Sequence, residues 1–249
     1  MKLKLTIFGL SIGLISCISS KEKTDNEIIQ PEVYSYNMNA SGIPISINFE
    51  KGNSHNHPLM AIWIEDSDGK YVQTIYVAQS IGKGIFNFGD KSSGKWMPGP
   101  VRRPAALPYW SHKRNIKEDD SLYIPKKTTP IPDAYTGPTP KNNFIINAKT
   151  DSKINSFKIL FEINQSWDWN EYWTNSKFPN DLNYKTSSQP AIVYSTELIN
   201  VNNITNPYVL KPIGHSHYSG KDGSLTTDLS TISTALNIAR NIEVKINIE

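Results

Sequence analysis

The sequence predicts an antiparallel β-sandwich, and three observations carry that prediction. Short segments of the 249-residue chain alternate apolar and polar residues or are rich in β-branched and aromatic residues, which is typical of strands. Clusters of Gly, Asn, Asp and Pro separate these segments, and no βα unit repeats. The predicted strands are Val33 to Met38, Pro44 to Phe49, Leu59 to Glu65, Tyr71 to Ala78, Asn143 to Ala148, Phe157 to Asn164, Ala191 to Ile199 and Ile242 to Ile248.

The segments between the strands predict one tight turn, one helix and one irregular excursion. Asp66-Ser67-Asp68-Gly69 is a hairpin-turn sequence in which Gly69 takes the left-handed position. Only Thr226 to Asn241 resembles a helix. The proline-rich stretch from Trp96 to Pro140 is too irregular for core sheet, so we expect it to pack on one edge or end of the sandwich.

Composition excludes several classes of function. The formal charge is only +3, and no Lys/Arg-rich run is present, so the sequence does not predict nucleic-acid binding. The single cysteine excludes an internal disulfide, a cysteine-rich zinc site and a CxxC redox pair. Nucleophile-elbow, Walker, dinucleotide-binding and HExxH motifs are absent from the sequence. We expect a non-enzymatic binding protein, and an enzyme is the alternative only if the histidines bind a metal with an open coordination position.

The amino-terminal segment predicts export and lipidation. Lys2 and Lys4 precede an apolar run from Leu5 to Ile15 that is too short to span a bilayer permanently. The run ends in Leu-Ile-Ser-Cys, which resembles a bacterial lipobox, and the only cysteine of the chain, Cys17, occupies the lipidated position. Acyl chains on Cys17 would anchor the protein to a membrane. Ile18 replaces the aspartate that retains lipoproteins at the inner membrane, which favours the outer membrane.

This interpretation divides the chain into three parts. Residues 1–16 are the predicted signal peptide, and residues 17–31 form a polar, flexible tether that cannot bury apolar surface. Residues 32–249 are predicted to form a single β-sandwich domain.

Two motifs resemble an uncharacterised family of predicted periplasmic proteins. Ala61 to Asp66, followed by Gly69 to Val72 and Thr74-Ile75, resembles the W-I-E-D hairpin signature of that family, and Asp133 to Thr139 resembles its D-A-x-T-G-A-T element. The resemblance covers about residues 57 to 200. It implies an immunoglobulin-like sandwich, often encoded beside flavin transferases and membrane proteins of electron transfer or iron uptake. Redox or metal-uptake membrane proteins are therefore expected partners.

The Asp133 to Thr139 string also resembles the motif to which flavin transferases attach FMN. The resemblance implies that Thr139 would carry the phosphoester, on an exposed loop in which Gly137 allows the backbone to turn. Pro138 replaces the usual alanine and removes one N–H donor. The alternative is a turn that leads into the strand from Asn143. Covalent flavin attachment is thus one of two open interpretations.

Four of the five histidines lie in two His-x-His pairs, His55 with His57 and His215 with His217. In an extended chain, residues i and i+2 project from the same face, so each pair can offer two imidazoles to one ion. If the pairs met, they would form a four-nitrogen site suited to copper, zinc or nickel, and copper, zinc and iron are the metals to test. Glu65 and Asp66 are candidate supporting carboxylates, although Asp66 also suits a turn cap.

The second candidate site is rich in tryptophan. Trp167, Asp168, Trp169 and Trp173 follow the strand from Phe157, together with Asn and Tyr residues. Exposed aromatic rings beside amide and carboxylate groups suit carbohydrate binding, whereas buried rings would simply anchor the loop in the core. Three hypotheses stay open: a metal or ligand site at the histidines, carbohydrate binding at the tryptophan loop, and a covalent flavin carrier.

Overall fold

The computed structural model describes residues 30–132 and 135–248, which form an all-β sandwich as predicted. The strands are β1 (Glu32–Tyr36), β2 (Pro44–Lys51), β3 (Leu59–Asp66), β4 (Tyr71–Ala78), β5 (Ile85–Asp90), β6 (Met97–Pro100), β7 (Thr136–Gly137), β8 (Phe144–Lys149), β9 (Ser156–Asn164), β10 (Ile192–Ser195), β11 (Ile199–Asn200), β12 (Tyr208–Val209), β13 (Lys211–Ser216), β14 (Leu225–Thr226) and β15 (Ala239–Ile246). The helices are α1 (Gln79–Lys83), α2 (Pro108–Lys113), α3 (Tyr184–Ser187) and a 3-10 helix (Thr234–Asn237).

The strands build two main sheets and a separate hairpin. The first sheet has the order β1-β8-β2-β15-β12, and all of its neighbours are antiparallel except β1 and β8. The second sheet has the order β14-β13-β10-β9-β3-β4-β7, with β11 beside β9. Its neighbours are antiparallel except β4 and β7. Strands β5 and β6 pair only with each other.

The core lies between the two main sheets. In β2, apolar residues alternate with polar ones, so Ile45, Ile47 and Phe49 point inward and are buried. Phe49 stacks on Phe144 of the same sheet and on Phe161 of the facing sheet, with ring centroids 4.6 and 5.7 Å apart. The two inner faces therefore share one aromatic and aliphatic core.

The proline-rich excursion covers the outer face of the second sheet, and the prediction that it packs on an edge or end is wrong. Leu107 and Trp110 are completely buried against residues that point outward from that sheet, among them Trp63 and Val193. The Trp110 indole N–H donates to Thr74 Oγ1 at 3.0 Å. Because both faces of the sheet are covered, β3 reads as a nearly continuous apolar run, in contrast to the alternation of β2.

The β3–β4 turn forms as predicted. Gly69 has a φ of 77°, and Asp66 Oδ1 accepts hydrogen bonds from the backbone N–H groups of Asp68 and Lys70 at 3.0 and 2.9 Å. Asp66 is thus a turn cap. Glu65 also has a structural partner, since it accepts the Trp63 indole N–H at 3.0 Å and pairs with Lys113 at 3.3 Å.

The carboxyl-terminal third departs from the prediction. No helix runs from Thr226 to Asn241; this stretch contains the end of β14, the single-turn 3-10 helix and the start of β15. The predicted strand from Ala191 to Ile199 divides into β10 and β11. The predicted signal peptide, Cys17 and nearly all of the tether lie outside the described residues. Within residues 30–132 and 135–248, no helix is long and apolar enough to cross a membrane.

Candidate ligand-binding groove

The first histidine pair does not present two imidazoles to one point. His55 lies half-buried against the Phe49 ring, with centroids 5.8 Å apart, and burial lowers its pKa. His57 is exposed and has a φ of 53°, so the backbone is not extended at this position. The expectation that residues i and i+2 share a face therefore fails here.

The second pair is divided between a strand and a loop. His215 is buried in β13, where its Nδ1 donates to the Ser216 carbonyl at 2.9 Å and its ring lies 6.0 Å from that of Trp173. His217 follows the strand and stacks on Tyr218 at 4.5 Å. In the described parts of the chain, no three His, Cys, Asp or Glu side chains form a group that could hold a metal ion. The four-histidine metal site is therefore not formed.

Two of the three tryptophans in this loop pack into the protein, and the third is exposed. Trp173 is buried, and Trp169 is half-buried with its ring edge against Tyr184, 5.8 Å away. Trp167 is 65% exposed, with a φ of 59° that turns the chain between it and Trp169. The three rings therefore do not line one binding surface, and the predicted tryptophan site is not assembled.

Asp168 serves the packing of the same loop. Its Oδ1 accepts a short hydrogen bond from the Thr234 hydroxyl, and burial raises the pKa of this carboxyl. The backbone carbonyl of Asp168 accepts from the Gln189 amide at 3.1 Å. Gln189 Oε1 in turn accepts from Asn170 at 3.1 Å and from the Ser233 backbone N–H at 2.8 Å. This polar network fixes the loop to the segment that precedes β15.

A groove lies beside this loop, between residues 177–183, residues 218–221 and the excursion. Its larger part has a volume of about 690 Å³ and is lined by Lys177 to Asn183 with Tyr218, Ser219 and Lys221. A smaller part of about 210 Å³ adjoins it at Asn183, Ser219 and Lys221 and extends to His112 and Tyr123. The two parts share three lining residues and form one continuous surface, which we call the groove.

Stacked rings form one wall of the groove. Phe178 and Tyr218 lie parallel, with centroids 4.0 Å apart and planes 6° apart, and His217 stacks on the opposite side of the pair, against Tyr218. In the smaller part, His112 packs on Tyr123 at 4.2 Å. Both parts of the groove therefore combine an aromatic wall with open space.

Polar side chains form the rim. Asn180, Asn183 and Lys221 are exposed, and Asn183 makes no capping hydrogen bond to α3 although it stands at the start of that helix. Asp181 is partly occupied, because its Oδ1 accepts from the Tyr184 backbone N–H at 3.0 Å. The rim thus offers amide and ammonium groups to a ligand beside the ring wall.

Gly220 holds the 217–221 loop close to the excursion. It has a φ of 72°, and a Cβ at this position would lie 2.2 Å from the Pro104 carbonyl oxygen. Only glycine allows both the left-handed backbone and this approach. The sequence shows Gly214 and Gly220 at the ends of this segment, but nothing in it pairs Tyr218 with Phe178, so the groove was missed.

Arg102 and Arg103, which are adjacent in the excursion, have different surroundings. Arg102 bonds to Asp120 at 2.7 Å and also donates to the Ile124 carbonyl. Arg103 donates to Ser166 Oγ at 2.5 Å, and its guanidinium lies 4.3 Å from the Phe86 ring. Burial lowers the pKa of Arg103.

The segment at the predicted flavin motif is partly built into the second sheet. Asp133 and Ala134 lie outside the described residues, and Thr136–Gly137 form β7 at the edge, beside β4. The Tyr76 hydroxyl donates to the Pro138 carbonyl at 2.8 Å. Thr139 follows, half-buried. Thr136 and Gly137 of the motif thus lie in an edge strand and not in a free loop.

Comparison with known proteins adds no relative, since no family model, no curated protein and no solved structure matches the chain.

Proposed function

We propose that this protein is a non-enzymatic, membrane-tethered β-sandwich that binds a carbohydrate in the groove. One observation carries the proposal: the ring wall of Tyr218 and Phe178 stands beside the exposed amides of Asn180 and Asn183 in an open groove. The groove is open to solvent, and its volume of about 690 Å³ falls within the range of small-molecule sites. In this proposal the binding site lies beside the tryptophan loop and not on its indole rings.

The chemistry of the groove suits a sugar. Because Phe178 and His217 already cover the faces of Tyr218, the wall would offer the edges of its rings to the C–H groups of a sugar. The hydroxyls of a sugar need donors and acceptors within the same site. Asn180 and Asn183 supply both kinds of group, and Lys221 supplies donors. Lys177 also lines the groove, and its Nζ lies 3.3 Å from the centre of the Tyr172 ring.

The tether is the second part of the proposal. Its support is the signal-like segment and the position of the only cysteine, Cys17, at the end of a lipobox-like sequence. Acylation there would hold the sandwich at a membrane on the extracytoplasmic side, with the outer membrane favoured. Intact-mass measurement of protein extracted from membranes tests this directly. Wild-type protein should carry the mass of acyl chains, and the Cys17→Ser variant should not.

Carbohydrate binding is tested with residues 17–249 carrying Cys17→Ser, titrated calorimetrically with a panel of soluble oligosaccharides. We expect binding that the double variant Asn183→Ala/Lys221→Ala weakens at least about tenfold, because two rim side chains are lost. The control is Asn202→Ala/Lys211→Ala, which changes the same residue types at exposed positions outside the groove. Binding that both variants retain would exclude the groove, and absence of binding to every sugar would exclude the carbohydrate.

A further inference from the structure

The β5–β6 hairpin stands apart from both main sheets. Its strands pair only with each other, and residues 91–98 are all exposed. A two-stranded hairpin is at best marginally stable alone in water. The hairpin is joined to the body at its base, where the Val101 backbone N–H donates to the Gly84 carbonyl at 3.1 Å.

Large apolar side chains are concentrated on this exposed element. Phe88 is 73% exposed, Trp96 59% and Met97 49%. Trp167, 65% exposed, lies near the base of the hairpin, because the Arg103 guanidinium is 4.3 Å from the Phe86 ring and 5.9 Å from the Trp167 ring. Large exposed apolar side chains concentrated on one element in this way indicate an interaction surface.

The tip of the hairpin is positively charged. Lys91 and Lys95 lie in the segment 91–97, which contains no acidic residue, and Lys91 Nζ is 5.7 Å from the centre of the Trp96 ring. The neighbouring carboxylate, Asp90, accepts from the Ser92 backbone N–H at 2.8 Å. A cationic group therefore lies beside the exposed Trp96 ring at the tip.

We propose that this hairpin docks on an anionic phospholipid surface, with Phe88, Trp96 and Met97 entering the interface and Lys91 and Lys95 contacting lipid phosphates. The combination of Trp with Lys is the one that lies at membrane–water interfaces, and each basic residue adds attraction to anionic lipid. A membrane is favoured over a protein partner because the positive tip complements anionic lipid and the proposed tether already holds the sandwich at a membrane.

The length of the proposed tether limits how far the sandwich can lie from the membrane. The 14 residues from Cys17 to Gln30 would span at most about 50 Å when extended, and this length is available for orienting the hairpin toward the same membrane. This inference rests on the tether proposed above. Its experiment therefore supplies an artificial tether, so that failure of lipidation and failure of docking give separate results.

The experiment uses residues 17–249 with Cys17→Ser, which retain every described strand, attached by an amino-terminal polyhistidine tag to vesicles containing a nickel-chelating lipid. A polarity-sensitive fluorophore is placed on Ser93→Cys at the hairpin tip or, as the matched control, on Ser67→Cys at the exposed β3–β4 turn. The vesicles are phosphatidylcholine with or without phosphatidylglycerol. We expect a blue shift and increased emission for the probe at position 93 only, on the anionic vesicles.

Two further variants identify the groups that dock. Phe88→Ser/Trp96→Ser and Lys91→Glu/Lys95→Glu should each abolish the shift, whereas Leu198→Ser, which removes an exposed leucine elsewhere, should leave it unchanged. No shift at position 93, an equal shift at position 67, or a shift that survives both hairpin variants would overturn the proposal. So would an equal shift on phosphatidylcholine alone, or one that appears without vesicles as protein concentration rises, since the latter indicates self-association.

Discussion

Glu162, on the outer face of the second sheet, accepts a hydrogen bond of 2.7 Å from the backbone N–H of Trp110 in the excursion. The Tyr109 backbone N–H donates to the same carboxyl at 3.2 Å. Burial raises the pKa of Glu162 to about 8, although these two N–H groups and Ser216 act in the opposite direction. The excursion is therefore fixed to the sheet through a group whose charge depends on pH.

The raised pKa predicts that Glu162 makes the protein less stable as pH rises. Between the ordinary glutamate pKa of 4.5 and about 8, the folded state keeps a proton that the unfolded state has lost. The free energy of unfolding should therefore fall with rising pH across this window, by up to about 1.4 kcal/mol per pH unit from this group. Glu162→Gln should remove that slope, because an amide does not ionise.

The measurement is urea unfolding of wild type and Glu162→Gln between about pH 5 and 9. The free energy of unfolding is plotted against pH for both proteins. The difference between the two plots isolates the contribution of Glu162 from those of His55 and the other titrating groups. Glu197→Gln is the control, since Glu197 is exposed and should leave the wild-type slope unchanged. Parallel curves for wild type and Glu162→Gln would mean that Glu162 does not take up a proton on folding.

We predict that the excursion stabilises the fold through the buried Trp110 and that the exposed Trp96 contributes little to stability. Trp110 is completely buried, so Trp110→Ala should cost about 3–5 kcal/mol through lost burial and the cavity left behind. Trp96 is 59% exposed, and Trp96→Ala should change stability by less than about 0.5 kcal/mol. Denaturant unfolding of both variants tests the contrast. Similar losses from the two substitutions would show that the hairpin also contributes to the core.

Period-2 patterning predicted the strands that alternate, and it failed where the residues carry no such pattern. Strands β2 and β4 begin where expected because their own residues show one buried face or a flanking turn. The stretch Thr226 to Asn241 has no such local signal, and only its two ends lie in strands, where Thr226 pairs with β13 and Ala239 and Asn241 pair with β2.

The site was predicted less well for a related reason. Sequence spacing placed His55 beside His57 and Trp167 beside Trp169, but His57 and Trp167 adopt positive φ values that reverse the expected directions. The groove joins the loop with Phe178 to the loop with Tyr218, 40 residues apart in the sequence, and only the strand order brings them together.

Gly137 provides the third prediction, which separates a packing role from a role in flavin attachment. A Cβ at this position would lie 2.0 Å from the Tyr36 hydroxyl oxygen and 2.8 Å from a carbon of the buried Tyr76 ring. Gly137→Ala should therefore destabilise the protein by about 1–3 kcal/mol through overpacking. Tyr36→Phe should recover part of this loss in the double variant, because it removes the nearest clashing atom.

Thermal unfolding of wild type, both single variants and the double variant gives the coupling energy between positions 36 and 137. Partial recovery means that glycine is required here because the edge strand packs tightly on β1 and β4, whatever is attached to Thr139. If Gly137→Ala is as stable as wild type, the segment is looser than this packing implies. Loose packing at Gly137 would instead support the hypothesis that Thr139 lies on an exposed loop that a flavin transferase can modify.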